Sequence, residues 1–598
     1  MNENPTKLFA DRLNHFLEKE SLLHKKNKKT AVIRLFIFLL FTVLFIYSIN
    51  TDRSELAILT FLLGMSSFLA LVKYHQKVKA QQQYAGYLAH INKQEIQRTD
   101  YNFEGLIGGS GFIDDKHPYT SDLDIFGENS LFQYLCRTNN PGGQKRLANY
   151  LTEIPIASEV KNRQAAVAEL EEKIDWRQYF QGHAHNIDPK HSLDKLWDWL
   201  SVPGLITTNP FLKYTLFILP ILTIFSIIGA LFFLPGYIPI IFIVLNILIL
   251  SRTKEKVTEI SNATSEALSM VSSYVHQLKM IEEESFSSPK LRDIKKAVEP
   301  TGDMSASKQI EKLKTLSELL EARLNPFFYI FFNFTILWDL IQVFRLDLWK
   351  KENGKNLHTW LDSIYETEAL ASIAGCSFAN PAWSHPQINE NSLHFEATKL
   401  AHPLIPENSR VANDLSLKGS GVCYIITGSN MSGKSTFLRT VGINIVLAMA
   451  GGKVCAEACN LSVMTPFSSM RTKDSLHENV SSFYAELKRL RQLLDLVKEE
   501  KRVIYLLDEI LKGTNSADRH LGAMALVRQL IKAGVSGFVS THDLELGNME
   551  QEDPDHIKNF NFSSEIINQE LFFDYKLKDG VCKSFNASQL MKNIGIDI

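Results

Sequence analysis

The chain has almost no net charge: 64 Lys and Arg stand against 66 Asp and Glu, a balance of −2 at neutral pH. It is therefore not basic throughout, and any contact with nucleic acid has to come from a local patch. Cysteine is scarce as well. Cys136, Cys376, Cys423, Cys455, Cys459 and Cys582 are scattered over 598 residues, with no pairing framework, which argues against a disulfide scaffold and fits a reducing compartment. Cys455 and Cys459 make the only close pair; nothing beside them completes a zinc site, and they read as small buried apolar residues. Internal repeats and low-complexity segments are lacking too, so neither a repeat array nor a biased linker accounts for the length. What remains is a chain long enough for about three or four domains, with ordinary apolar (45%) and charged (22%) fractions.

Charge is missing most completely from a few long runs. Leu35 to Thr51 and Leu56 to Val72 are uncharged and strongly apolar, about 17 residues each, near the lower limit for a helix that spans a bilayer. Only Asp52, Arg53, Ser54 and Glu55 separate them, so they form an antiparallel hairpin with both ends on one side. Lys25, Lys26, Lys28, Lys29 and Arg34 precede it and Lys73, Lys77 and Lys79 follow, which places both ends in the cytoplasm by the positive-inside rule. Tyr214 to Ser251 has no charged residue at all. It suits two short spans reversed at Pro235 and Gly236, with Lys213, Arg252, Lys254 and Lys256 outside them, again ends-in. The alternative is a set of core helices in a large soluble protein; a cleaved signal peptide fits less well, because the leader is too long and a second apolar run follows at once. Asn325 to Leu337 is apolar too, but Asp339 and Arg345 interrupt its continuation, and it is expected to be a core helix. Val257 to Leu324 has the spaced apolar positions of a long amphipathic helix pair, broken at Ser287–Pro289 and Pro300–Gly302.

The strongest motif is Gly428-Ser429-Asn430-Met431-Ser432-Gly433-Lys434-Ser435, followed by Thr436. It has the Gly-x4-Gly-Lys-Ser pattern, follows a strand-like run (Cys423 to Thr427) and opens a helical segment (Thr436 to Ala450). Glycines let the backbone wrap an anion, and amide N–H groups at a helix start supply positive potential. Lys434 is placed to reach the β and γ phosphates of ATP, and the Ser435 hydroxyl to ligate Mg²⁺. Some 70 residues on, the apolar run from Val503 ends in Asp508 and Glu509; Asp508 would hold the Mg²⁺ and Glu509 polarise the attacking water. A third apolar strand, Ser536 to Ser540, leads into Thr541 and His542, a histidine able to sense the γ-phosphate or orient water. Catalytic roles are thus expected for Glu509, His542 and Lys434, nucleotide contacts for Gly428 through Thr436, and metal ligation for Ser435 and Asp508.

Taken together these pieces resemble the MutS family of mismatch-repair ATPases. The run Ile426 to Thr436, Asp508-Glu509-Ile510 with Gly513-Thr514-Asn515-Ser516, and Ser540-Thr541-His542 are similar to that family's phosphate loop, acidic strand end and switch histidine. Asp474 to Leu476, Ser481 to Phe483 and Glu486 resemble the segment that reaches the partner's nucleotide, and the resemblance implies that Ser481 acts in trans in a homodimer. Upstream, Leu123 to Phe126, Ser130 to Phe132, Arg137-Thr138, Asn162 to Gln164, His402-Pro403 and Asn413-Asp414 extend the likeness over roughly residues 121 to 598. Three departures stand out: membrane spans replace the amino-terminal mismatch-reading domain with its Phe-x-Glu wedge, the lever arms and clamp are shortened or replaced near 214 to 251, and the carboxy-terminal helix-turn-helix is not expected. Arg410 stands where some members stack an aromatic on adenine.

The expected architecture is a multidomain α and α/β chain: a cytoplasmic segment (1–30), a transmembrane hairpin (31–75), a connector (76–120), a mostly helical MutS-like core (121–385) carrying the second hairpin (214–251), and a P-loop ATPase domain of the ABC/MutS type (386–598). The expected function is a membrane-anchored, dimeric ATPase using ATP and Mg²⁺, with DNA and the lipid bilayer as further partners. Mismatch reading does not survive the departures, and the one basic run that could touch DNA, Lys488, Arg489 and Arg491, also suits a solvated helix face. Two alternatives compete. A transporter motor would need polar positions in its spans and a Leu-Ser-Gly-Gly-Gln motif, which the sequence lacks before Asp508. Against a scaffold that uses ATP only to dimerise stand the intact Lys434, Asp508 and Glu509.

Overall fold

The computed structural model describes residues 4–51, 53–184, 193–300, 304–390, 393–429, 431–471, 482–500, 502–567 and 570–582. The chain forms two compact units. One comprises residues 1–136, 147–178 and 371–598; the other comprises 137–146 and 179–370.

The first unit begins with two long antiparallel helices, Pro5–Asn50 and Ser54–Thr99. Asn4 caps the first by accepting the Thr6 N–H, with Pro5 in the opening turn. At 1.5 Å per residue each arm is about 70 Å long, far more than the apolar runs need. The charged segments flanking those runs do not break the helices, so residues 76–99 continue the second arm. The lower ends are docked: Phe16, Leu88 and Ile91 form a small buried cluster, Asn92 and Gln178 exchange side-chain hydrogen bonds of 3.0 Å, and Arg98 donates to the Cys136 carbonyl. The upper ends are bare, with Leu35 to Phe45 and Leu56 to Leu69 largely exposed.

The rest of this unit is built on two sheets. Strands β1 (Gln387–Asn389), β2 (His394–Leu400), β3 (Asn413–Lys418) and β5 (Ala458–Ser462) form a four-stranded sheet of order β1-β5-β2-β3, after β4 (Cys423–Gly428) is set aside. That strand belongs to a six-stranded sheet with β6 (Thr465–Ser469), β7 (Val503–Asp508), β8 (Ser536–Thr541), β9 (Ile557–Ile567) and β10 (Glu570–Asp579), in the order β10-β9-β4-β8-β7-β6. All its neighbours pair in parallel except β9 and β10. The runs 423–428, 503–507 and 536–541 are buried almost throughout, which is why they read as continuous apolar strands rather than alternating ones. Cys455 and Cys459 are buried, and burial pushes both thiols up to about 12.

The second unit is helical. Pro210–Phe232 and Tyr237–Glu266 form the second apolar hairpin, reversed through Pro235 and Gly236. Midway along it the buried Asn246 donates to the Thr223 hydroxyl (3.1 Å) and to the Phe334 carbonyl (2.7 Å). The polar stretch that follows contains Leu268–Glu283, Pro289–Val298 and Ala306–Glu321; the first two are interrupted where the Ser-Pro signal falls, and Thr301 and Gly302 of the second expected break lie outside the described residues. The expectation of a core helix over 325–337 is not met. Pro326–Ile336 includes a π-helical turn at Tyr329–Asn333 and meets Trp338–Ala379 at 78°, with Leu337 in the left-handed region. Asn333 and Asp339 exchange hydrogen bonds across the bend, and Phe327 and Phe331 are 86% and 66% exposed. Among the described residues, four helices are long and apolar enough to cross a membrane, or five spans if this bent pair is one.

Candidate nucleotide site

The site forms where the carboxyl ends of three adjacent strands meet. Thr427 of β4 lies beside Thr541 of β8, and Ser540 beside Asp508 of β7, so the loop after β4 faces the acids and the histidine that end the next two strands. Ligands of parallel α/β sheets gather at such carboxyl ends. Gly428 (φ 154°), Met431 (φ 70°) and Gly433 (φ 103°) turn the loop through the left-handed region, and helix Lys434–Met449 starts there. A Cβ on Gly428 would fall 2.7 Å from the Phe562 carbonyl oxygen, so this turn has room only for glycine.

The functional side chains converge. The Ser435 hydroxyl donates to Asp508 Oδ2 at 2.6 Å, and the Ser540 hydroxyl donates to the other oxygen of the same carboxylate. Lys434 is buried, its ammonium donating to the Gly428 and Ser429 carbonyls at 2.9 and 3.0 Å and lying 3.7 Å from Glu509. Burial lowers its pKa, with Glu509 and Asp508 opposing. Glu509 has φ 51° and donates its N–H to the Ser540 carbonyl. Its own burial raises the carboxyl, but Lys512 at 3.2 Å, Lys434, and His542 at 3.6 Å together hold it below its ordinary value. The Ser432 hydroxyl is buried without a protein partner among the described residues. These groups open on a cleft of about 560 Å³ lined also by His402, Arg410, Phe562 and Tyr575.

Asn430 and Ser481 lie outside the described residues, as do Asp474 to Leu476. Glu486 turns inward, accepting the Leu511 N–H, so it braces the loop after Glu509 instead of facing a partner. The basic run is divided: Arg489 is half-buried and donates to the Ser468, His117 and Pro118 carbonyls, while Lys488 and Arg491 are exposed, Arg491 pairing with Asp495 at 2.9 Å. Arg410 points its guanidinium at the Tyr101 hydroxyl (3.4 Å) and over Trp383.

A family model described as MutS domain V matches residues 424–595. The chain is a MutS family member through this part. DNA mismatch repair protein MutS of Thermotoga maritima is 30% identical over 238 residues, 39% of this chain and 29% of that protein. Its counterpart from Aquifex pyrophilus is 29% identical over 238 residues, 39% and 27% of the two chains. DNA mismatch repair protein MutS 2 of Halobacterium salinarum is 30% identical over 249 residues, covering 41% and 28%. The chain thus spans less than a third of the length of these relatives.

Several residues of this MutS-type site carried no motif. Tyr575 lines the cleft from β10, where the ladder slips between Phe573 and Leu577, and Asn413 fixes it by donating to its carbonyl at 3.1 Å and accepting the Leu577 N–H. His520 meets Asp543 Oδ2 at 3.1 Å; the other Asp543 oxygen accepts the Glu545 N–H, and the Asp543 N–H donates to the Thr541 hydroxyl. This clamp brackets His542 on both sides. Only folding brings position 520 to position 543, so spacing gives no hint of it.

Proposed function

We propose that the protein is a membrane-anchored MutS-type ATPase whose site is completed by a second copy. The observation that carries the ATPase reading is the convergence of Ser435, Asp508, Lys434, Glu509 and His542 at one strand edge. Magnesium suits the donor set, since the Ser435 hydroxyl and Asp508 carboxylate are adjoining hard oxygens, and once bound it would offset phosphate charge. Lys434 and the loop amides would hold the β and γ phosphates. Glu509, kept ionised, would take a proton from the attacking water, with His542 orienting that water.

Dimerisation is supported by large apolar side chains left bare: Met431, which lines the cleft, is 80% exposed, and Leu544, two residues after His542, is 41% exposed. Ser481 of a second copy would complete the site. Anchoring is supported by the four long apolar helices and their uncovered surfaces. The relatives' names point to DNA as the macromolecular ligand; phosphate contacts of that kind weaken steeply with salt.

The test is ATP turnover by the full chain in detergent, for wild type and Glu509→Gln, with duplex, branched and mismatched DNA over a range of salt. Turnover in the wild type alone, raised by DNA at low salt, supports the reading. Equal rates in both proteins remove Glu509 from the chemistry, and DNA without effect at any salt removes DNA.

A further inference from the structure

The base of the first hairpin carries a concentration of positive charge that the ATPase does not use. Between Glu20 and Asp52, and between Glu55 and Glu95, there is no acidic residue. Within these two windows, Lys25, Lys26, Lys28 and Lys29 stand on the first arm and Lys73, Lys77 and Lys79 on the second, and all are exposed. No carboxylate pairs with any of them among the described residues.

Helix pairing decides whether the two groups form one feature. Phe38 packs on Phe68 and Phe45 on Phe61, with ring centroids 5.7 and 5.8 Å apart. Gly64 lies against Phe41, and His24 is 3.1 Å from Gln82. This antiparallel register sets residues 25–29 of one arm level with about 77–81 of the other, and Arg34 level with Val72. Lys26 lies over the Tyr74 ring at 5.6 Å, across the pair. The cations therefore make a single collar, about 14 Å tall at 1.5 Å per residue. Its upper rim merges on both arms into bare apolar surface: Val32, Ile33, Leu35 and Phe36 on one side, Leu69 on the other.

An uncompensated cationic ring directly below an apolar sleeve matches the layered chemistry of a bilayer leaflet, where phosphates lie just outside the acyl chains. Each Lys or Arg held near an anionic lipid surface adds to the attraction. Zwitterionic headgroups carry no net charge and would leave the collar unbalanced. We propose that this collar binds the phosphates of anionic phospholipids, so that the hairpin selects lipid as well as anchoring the chain. The inference rests on the membrane reading and adds to it the class of lipid bound.

The experiment reconstitutes the full chain into phosphatidylcholine vesicles with and without phosphatidylglycerol. Flotation reports insertion, and spin-labelled phosphatidylglycerol against spin-labelled phosphatidylcholine reports which lipid is immobilised around the protein. The collar predicts a preference for phosphatidylglycerol of about tenfold, falling as salt rises. The preference should be lost in a variant with Lys25, Lys26, Lys28 and Lys29 changed to Gln, and weakened when Lys73, Lys77 and Lys79 are changed instead. These side chains project into solvent, and flotation of each variant checks that the hairpin still inserts. A chain that floats but shows no preference, or a preference untouched by either variant, overturns the collar. A chain that floats with neither vesicle overturns the anchor, and the collar with it. If the lysine variants lose duplex DNA binding while lipid preference stays, the collar serves nucleic acid and the lipid assignment is wrong.

Discussion

Glu509 in one unit and Glu368 in the other are the same side chain under opposite electrostatic conditions. Glu509 is half-buried among Lys512, Lys434 and His542, which outweigh the cost of burial and keep it ionised. Glu368 is fully buried, and that burial pushes its carboxyl up to about 8. Among the described residues its hydrogen-bonding neighbours are neutral: Gln277 donates to it at 2.9 Å, with Thr138 and Asn140 beside it. The contrast teaches that burial alone does not set protonation; the charge of the neighbours does. One carboxyl is held ionised and so is able to accept a proton, while the other keeps its proton and lies within the packing of helix Trp338–Ala379.

The sharpest way to break this contrast is to neutralise Glu509. Glu509→Gln keeps size and hydrogen bonding but cannot take a proton. ATP hydrolysis is expected to fall by about 10²- to 10⁴-fold, with nucleotide binding retained in a filter or fluorescence assay. A residual rate within a factor of a few of wild type would mean that ionisation at this position is immaterial.

At Glu368 the same substitution should do the reverse. Because its folded pKa lies above the ordinary value of 4.5, the stability the protonated group supports is fully present below about pH 4.5. It is then lost progressively as pH rises towards 8. At about 1.4 kcal/mol per pK unit, the loss is on the order of a few kcal/mol. Glu368→Gln, neutral at every pH, should match wild type at pH 4.5 and unfold at higher denaturant concentration at pH 8.5. A wild type whose midpoint is flat between those values would show that Glu368 does not carry its proton there. Gly143 packs so closely that a Cβ would lie 2.0 Å from Glu368 Oε2, so the packing around this carboxyl leaves little room to rearrange.

The two sites were unequally legible in the sequence. The phosphate loop, Asp508-Glu509 and His542 each lie at the end of an apolar run, and the chemistry of a phosphate site restricts which residues can stand there. Glu368 had no such signature, because its surroundings come from positions 138–140, 277 and 368, which meet only after folding. The apolar runs gave the hairpins by composition, yet not the extension of their arms to Pro5 and Thr99, since lysines end hydrophobicity without ending a helix. Pro326–Ile336 differs from the core helix expected of it for a related reason: Asp339 and Arg345 interrupt the apolar run, but the Asn333–Asp339 hydrogen bonds create a bend there. Lys488, Arg489 and Arg491 read as one basic run because nothing local shows that the Arg489 guanidinium is spent on the carbonyls of residues 117 and 118.

Support around His542 offers a smaller test of the ionised site. If the His520–Asp543 clamp fixes the turn that carries His542, His520→Gln should slow turnover by about tenfold while leaving the ATP dissociation constant unchanged. In the Glu509→Gln background it should have no further effect, because the step it serves is already absent. A change in nucleotide affinity with turnover preserved would assign the clamp to folding of the cleft.

The mildest change retunes Glu509 without removing it. Lys512 is the largest of the groups that hold its carboxyl down, and it lies 3.2 Å away on a partly exposed side chain. A base of depressed pKa loses activity as pH falls through that pKa, so the acid limb of the pH–rate profile marks where Glu509 takes up a proton. Lys512→Ala leaves burial unopposed by this charge, and the acid limb should move to higher pH. The plateau rate should change little, since Lys434 and His542 remain. Salt should shrink the shift, because a half-exposed ammonium is screened. An acid limb that stays put would mean that Lys434 and His542 alone keep the carboxyl ionised, and one that moves to lower pH would show that the proton being titrated belongs to a different group.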